Sequence, residues 1–151
     1  MPRWRRWASD DEGSASLEFV TAGMILLLPI VYLVLTMAAV QAGALAVEGA
    51  ARQAVRVFVQ ADDEGAATSQ AERAIEFALA DYGLDAAAAD VTVTCQPKPT
   101  QCLSRRGSVT ITVGVSIPLP LAPPALTLNV PLAVPLEATA TQRVSRFRGA
   151  E

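Results

Sequence analysis

A long apolar segment dominates the pattern of hydrophobic and polar positions along the chain. From Phe19 to Val47 the sequence contains no charged side chain. A bilayer core about 30 Å thick is crossed by roughly 20 apolar residues that each rise about 1.5 Å, so the segment is longer than one crossing requires. The pattern predicts a transmembrane helix that continues beyond the membrane. Because Pro29 cannot donate to the carbonyl oxygen of Ile25, we expect a kink or local loosening there.

Helical spacing continues past the apolar segment. Ala51 and Val55 fall on one face of the predicted helix, whereas Glu48 and Arg52, four residues apart, share another face and can form an ion pair. The acidic residues that follow, within 62–65, then predict a turn. Their spacing lacks the regular oxygen ligands of a calcium loop, so we interpret them as a solvated turn that ends the long helix.

A second, shorter helix is predicted from Ser69 onward. Ser69 with Glu72 has the spacing of a capping box, and Gly83 offers a helix C-cap. Apolar side chains recur between them at helical spacing: Ala71, Ile75, Ala78, Leu79 and Tyr82. The acidic residues of this helix lie largely away from that stripe, so we expect a solvated face and no catalytic pair of carboxylates.

The period changes from helical to alternating at Val91, which predicts strands. One runs over 91–95 and a second over 109–117, with small or polar residues between the apolar ones. Alternation returns over 126–136, where Pro131 and Pro135 predict an edge strand or a broken one, because proline lacks a ladder donor. Residues 137–144 can carry this last strand onward.

These elements together predict an α+β protein with a long N-terminal transmembrane helix, a short helix and a small antiparallel sheet of about three strands. Three regions follow from the pattern. Residues 1–13 form a cytosolic leader, 14–60 form the transmembrane helix with its extramembrane continuation, and 61–151 form a small external domain.

Composition narrows the function. The formal net charge is −3 and the chain contains no His, so the commonest general base and metal ligand are missing. No nucleophile and base pair can be named, and we predict no catalytic residues, metal site, cofactor or small-molecule substrate. A concentrated basic face is also lacking, which argues against nucleic acid as a partner. The arginines of the C-terminal tail are predicted to be a solvated end: Arg143, Arg146 and Arg148.

The two cysteines, Cys95 and Cys102, close a loop that contains proline. An external domain lies in an oxidising environment, so an intrachain disulfide is the expected partnership. Closing so short a loop contributes roughly 2 to 3 kcal/mol. A metal or redox role is less favoured, because two thiols without His form an incomplete zinc set and the spacing is not C-x-x-C.

The start of the apolar segment combines Gly13, Ser14, Glu18 and Phe19. A carboxylate at the edge of hydrocarbon is costly and is a functional candidate, although a Glu near a helix start is also favoured by the helix dipole. Gly, four residues, then Glu and an aromatic residue resembles the prepilin peptidase site of type IV pilin-like proteins. More narrowly, it is similar to the TadE/TadG group of tight-adherence (Flp) pilus systems. The alanine-rich segment with regular Arg after the apolar run, over 48–56, resembles the same group.

The resemblance implies a bacterial minor pilin or pseudopilin of such a pilus or a related secretion apparatus. A membrane prepilin peptidase would cleave after Gly13, so that the mature chain begins at Ser14 with Glu18 as its fifth residue. Glu18 would pair in lipid with an N-terminal ammonium, its own or a neighbour's. The expected partners are the membrane, the peptidase, other pilin-like subunits and the assembly machinery. A Pro within the apolar segment, here Pro29, is also frequent in this group. The small residues Gly43 and Gly49 suit close helix packing.

Three arginines before the apolar segment favour a cytosolic N-terminus and an external C-terminal domain, although Arg52 and Arg56 beyond it weaken that orientation. Two alternatives remain open. One is a permanently anchored single-pass envelope protein whose external domain binds a partner. The other is a secreted module released after Ala44 by a signal peptidase, which the length of the apolar segment and Glu18 disfavour.

Overall fold

The computed structural model describes residues 14–120 and 133–149. In chain order its elements are α1 (Ser14–Gln60), α2 (Glu64–Ala80), a short 3-10 helix (Ala86–Ala88), β1 (Asp90–Gln96), β2 (Ser108–Pro118) and β3 (Ala133–Arg143). The predicted α+β class is confirmed, with a long apolar helix, a second helix and a three-stranded antiparallel sheet. The predicted leader, 1–13, lies outside the described residues.

The chain forms two compact units that divide between Met37 and Ala38. In the described part of the first unit, α1 is the one element, and its helical structure continues through Pro29. The second unit contains the rest of α1 together with α2 and the sheet. The C-terminal part of α1 therefore belongs to the core of the second unit, because its small apolar residues are buried there.

The sheet has β2 in the centre, with strand order β1-β2-β3. The strand pairing determines which side chains share a face of the sheet. Cys95 of β1 lies opposite Val109 of β2, and Val109 lies opposite Gln142 of β3. The alternating apolar side chains of β2 are all buried, so one face of the sheet covers the core. The predicted edge position of the last strand is confirmed, and Pro135 is accommodated there opposite Ser116.

The described part of the last strand lies within its predicted bounds. Residues 121–132 lie outside the described residues, so the predicted alternation from Leu126 to Leu132 is not described. The strand itself runs from Ala133 to Arg143 and realises the predicted continuation over 137–144 except for Val144, which is buried just after it. Its pairing with β2 extends from Ser108 opposite Arg143 to Pro118 opposite Ala133.

The solvent face of the sheet carries threonines in register. The side-chain oxygens of Thr110 and Thr141 lie 2.8 Å apart, and those of Thr112 and Thr139 lie 2.9 Å apart. β-branched residues favour strands, and cross-strand hydroxyl pairs stabilise their pairing. Thus β2 and β3 are joined on this face by side chains as well as by backbone.

The core lies between the other sheet face and the two helices. Alanine dominates the helical contributions, so the backbones can approach closely. Most of the buried residues come from α1 (Ala46, Val47, Ala50, Ala51, Ala54, Val55 and Phe58), from α2 (Ala67, Ala71, Ile75 and Leu79) and from β2 (Val109, Ile111, Val113, Val115 and Ile117). The described residues include no buried charged or polar residue.

The predicted start of α2 is wrong. Ser69 is not its cap; the helix begins at Glu64, and Asp63 is the N-cap, with its Oδ1 accepting from the Ala66 amide at 2.7 Å. The Ser69 hydroxyl instead donates to the Ala66 carbonyl oxygen at 3.1 Å, inside the helix. Asp caps a helix as well as Ser does. Because α2 begins at Glu64, the acidic turn is shorter than predicted.

The end of α2 follows the prediction. Gly83 adopts a left-handed φ of 69°, the conformation in which glycine is favoured after a helix. The Leu84 amide then donates to the Leu79 carbonyl oxygen at 3.0 Å, closing the last turn. The chain next forms the 3-10 helix, which Asp85 caps through the Ala87 amide at 2.9 Å.

Candidate functional site

The described first part of α1 exposes apolar side chains in every direction. The consecutive residues Leu26, Leu27 and Leu28 are 67%, 60% and 62% exposed. Successive residues of a helix point about 100° apart, so no side of this segment is covered. By length and composition the helix could span a membrane. So large an exposed apolar surface is typical of a site that contacts lipid or other proteins.

The predicted processing residues lie at the start of this segment. Gly13 is outside the described residues, and Ser14 is the first residue of α1. Glu18 and Phe19 are both exposed, Phe19 by 80%. Glu18 lies one helical turn after Ser14 and is therefore held at the edge of the apolar surface. The geometry brings this carboxylate near the start of the helix and leaves it open to a partner.

Gly43 and Gly49, both predicted to support helix packing, have different surroundings. A Cβ atom at Gly43 would lie 2.8 Å from the Ile117 side chain and 3.0 Å from that of Leu136. Gly43 therefore permits α1 to approach the sheet of its own chain. A Cβ atom at Gly49 would have nothing within 4 Å, so this glycine lies on the open side of α1.

The predicted disulfide is present between Cys95 and Cys102, whose Cα atoms lie 5.0 Å apart. Cys95 is buried near the end of β1, so the bridge ties the loop to the core. The loop has a second attachment, because the Cys102 amide donates to Glu64 Oε1 at 2.9 Å. Glu64 thus connects the first turn of α2 to a loop 38 residues further along the chain.

The prediction that Arg148 is a solvated tail residue is wrong. Its guanidinium donates to the carbonyl oxygens of Val59 at 3.3 Å, of Asp62 at 2.6 Å and of Ala61. A cation there satisfies carbonyl groups that the end of a helix leaves without partners. Arg105 Nε in turn donates to the Arg148 carbonyl oxygen at 2.7 Å. Nothing in the local sequence pattern indicates that Arg148 lies close to the end of α1.

The surface charges of the described residues include one ion pair, the predicted one between Arg52 and Glu48. Among these residues no group of three His, Cys, Asp or Glu side chains is placed to hold a metal ion. The polar clusters at the disulfide loop and at the end of α1 have structural partners. The exposed apolar part of α1, with Glu18 at its edge, is accordingly the principal candidate for function.

Comparison with known proteins gives no relative: no family model matches the chain, and neither a curated protein nor a solved structure is similar to it.

Proposed function

We propose that this chain is a pilin-like structural subunit, a minor pilin or pseudopilin of a tight-adherence type pilus or a related secretion apparatus. The single observation that carries the proposal is the exposed apolar helix with Glu18 at the fifth position after Gly13. A helix apolar on every side is suited first to lipid and then to a bundle of similar helices. The function is structural and involves no catalysis.

Processing after Gly13 gives this arrangement its chemistry. Hydrolysis of the Gly13–Ser14 peptide bond adds water across it, leaving a carboxylate on the leader and an ammonium on Ser14. In lipid, either the Ser14 ammonium or the Glu18 carboxylate alone is poorly solvated. Pairing the Glu18 carboxylate with an ammonium, its own or that of a neighbouring subunit, removes that cost. Pairing with a neighbour's ammonium also holds the two subunits in a fixed position.

The second unit supports an external location. A disulfide at Cys95 and Cys102 is typical of proteins outside the reducing cytosol. Together with the arginines at the N-terminus, it favours a single-pass protein of the cytoplasmic membrane whose N-terminus is cytosolic. After assembly the chain would reside in a surface pilus, with membrane, prepilin peptidase and other pilin-like subunits as successive partners.

The alternatives make different demands on the same residues. Release after Ala44 requires a peptidase to cut within α1, next to Gly43, which packs on Ile117. Proteases hold their substrates extended, so this part of α1 would first have to unfold. A permanently anchored envelope protein needs neither Gly13 nor Glu18 for its insertion.

The N-terminal residue of the mature chain distinguishes the three functions. We would isolate the protein from membranes with the cognate peptidase present and absent, and sequence its N-terminus. A Ser14 start that depends on the peptidase and is blocked by Gly13→Leu supports the proposal. An unprocessed N-terminus in both strains would contradict it in favour of an anchor, and a Leu45 start would indicate a secreted domain.

A matched pair of variants tests the role of the carboxylate. Glu18→Gln keeps the size of the side chain and removes its charge, so we expect normal cleavage after Gly13 but loss of incorporation into filaments. Thr21→Gln places the same amide one turn further along α1 and is the control. Equal incorporation of Glu18→Gln and the native chain would contradict the proposed charge pairing.

A further inference from the structure

A surface groove lies between α2 and the segment formed by the 3-10 helix and the start of β1. Three charged residues line this groove, Glu72, Glu76 and Asp85, and all of them are acidic. None of them forms an ion pair with a described residue. We call this surface, with its apolar floor, the acidic groove.

The floor of the acidic groove is apolar and incompletely covered. Ile75, Leu84 and Val91 contribute to it. Val91 shares a sheet face with its partner Val113, yet Val91 is 45% exposed and Val113 is fully buried. The core therefore remains open at β1, which is an edge strand. Burial of this apolar strip by a partner would therefore be favourable.

The exposed side of α1 carries a complementary ridge. Leu45, Gly49, Arg52 and Arg56 follow at spacings of four, three and four, and they share one helix face. We call these four residues the α1 ridge. Its two charged residues are both cationic. Arg52 pairs with Glu48 of its own helix, whereas Arg56 forms no ion pair with a described carboxylate. Gly49 leaves space for a neighbouring backbone, since a Cβ atom there would meet nothing within 4 Å.

Ridge and groove also match in spacing. Only residues 61–63 join α1 to α2, and both helices line one cleft through Val57 and Arg73, so α2 returns in the opposite direction along α1. A second α1 held parallel to the first is then antiparallel to α2. This arrangement allows Arg56 of the second copy to meet Glu72 while Arg52 meets Glu76, because both pairs are spaced by four residues, about 6 Å along the helix axis.

The next turn of each helix extends the match. Beyond Glu76, Ala80 lines the acidic groove, and before Arg52 the α1 ridge has Gly49. Two small residues thus face each other where the helices must approach closely. Leu45, 59% exposed, follows in the direction of the apolar floor at Leu84. Charge, size and hydrophobicity are complementary along the same line.

We propose that the acidic groove of one copy receives the α1 ridge of a second copy. The proposal rests on the proposed function in one respect, since anchoring in a shared membrane holds the two α1 helices parallel. Groove and ridge are different surfaces of the chain, so the contact is heterologous. It leaves a free groove at one end and a free ridge at the other, and it repeats into an open row as a filament requires.

Cysteine pairs test the contact in full-length chains in membranes, with the native disulfide intact. One population carries Arg56→Cys and a second carries Glu72→Cys, and a short thiol cross-linker is added to each and to the mixture. We expect a cross-linked dimer in the mixture at a yield at least about tenfold above either population alone. When both substitutions are in one chain, we expect a ladder of multimers.

The matched control is Arg73→Cys, next in sequence to Glu72 but on the side of α2 that lines the cleft with Val57. Its mixture with Arg56→Cys should give no dimer. Equal yields from Glu72→Cys and Arg73→Cys, or no dimer from Glu72→Cys, would overturn the proposal. Dimers of Arg56→Cys alone would indicate a symmetric contact through the ridge and would also overturn it.

Charge exchange provides a second measurement that leaves the thiols unchanged. Arg56→Glu and Glu72→Arg should each weaken self-association in mild detergent by about tenfold, the equivalent of 1.4 kcal/mol. The two together should restore it. A double variant as weak as the sum of the single variants would contradict a direct contact.

The N-terminus of the cross-linked material separates this inference from the proposed function. Cross-linked chains that begin at Ser14 support both proposals. Cross-linked chains that retain Gly13 support the contact and contradict pilin-type processing. Chains that begin at Ser14 but do not cross-link support the proposed function and contradict the proposed contact.

Discussion

The Arg148 guanidinium donates to the Asp62 carbonyl oxygen at 2.6 Å and so joins the C-terminal tail to the segment that follows α1. The same side chain also donates to Val59 and Ala61. These carbonyl groups lie at the negative end of the helix dipole, where a cation is favourable. Arg148 is half-buried, which limits the screening of this interaction by water.

Replacement of Arg148 should therefore destabilise the second unit. We expect Arg148→Ala to lower its free energy of unfolding by about 1 to 2 kcal/mol, because hydrogen bonds from a charged group are lost. Arg148→Lys should recover only part of this, since a single ammonium cannot reproduce the planar fork. Hydrogen exchange of the β2 amides in the detergent-solubilised full chain measures the effect.

Arg146→Ala is the matched control two residues away. Arg146 lies over the exposed Phe147 ring, 4.6 Å from its centroid, and donates no hydrogen bond to the end of α1. Exposed cation and ring contacts contribute little, so we expect a change below about 0.5 kcal/mol. Equal effects at Arg146 and Arg148 would show that tail charge matters and that the helix end does not.

The difference between Arg146 and Arg148 shows which features the sequence could predict. Hydrophobic period and residue propensity are local properties of the sequence. They predict the long helix, the alternation of apolar and polar residues along the strands, and the edge position of the strand that contains Pro135. The role of Arg148 depends on two segments about 86 residues apart in sequence. Nothing in the tail itself distinguishes it from Arg146.

The error at Ser69 has a local cause. Asp63 and Ser69 both have side chains that can cap a helix, but only Ser69 is followed three residues later by a Glu, which completes a capping box and predicts the later start. The earlier start of α2 is explained by Ala67, which is fully buried in the core and requires helix before Ser69. Small residues such as Ala67 give a weak hydrophobic signal, so the first turn of α2 was missed.

Glycines in α1 provide a second prediction. At Gly43 a Cβ atom would lie 2.8 Å from Ile117, so we expect Gly43→Ala to destabilise the second unit by about 1 to 2 kcal/mol through overpacking. Gly49→Ala meets no neighbour and should stabilise the isolated chain by up to about 1 kcal/mol, from helix propensity alone. Urea unfolding followed by circular dichroism, in detergent, compares the two.

A compensating substitution makes the Gly43 result specific. Ile117→Val removes one methyl group from the side chain nearest to Gly43, so Gly43→Ala should cost less in that background. A double-mutant cycle isolates the contact from the individual effects. An unchanged cost in the Ile117→Val background would mean that Gly43 is not limited by this side chain.

The disulfide gives the third prediction, because its loop is anchored at two points. Cys95 is buried, and the Cys102 amide donates to Glu64 at 2.9 Å. Reduction should lower the free energy of unfolding of the second unit by about 2 to 3 kcal/mol, since the unfolded chain regains the entropy of an open loop. Comparison of oxidised and reduced native chains avoids any change of sequence.

Two variants separate the covalent bond from the hydrogen bond. The Cys95→Ala/Cys102→Ala chain should show no response to reductant, which controls for other effects of the reagent. Glu64→Gln retains the disulfide but weakens the acceptor of the Cys102 amide, so exchange of that amide should accelerate while the β2 amides change little. If Glu64→Gln accelerates both sets equally, the loop and the core open together, and Glu64 then supports the whole unit through the first turn of α2.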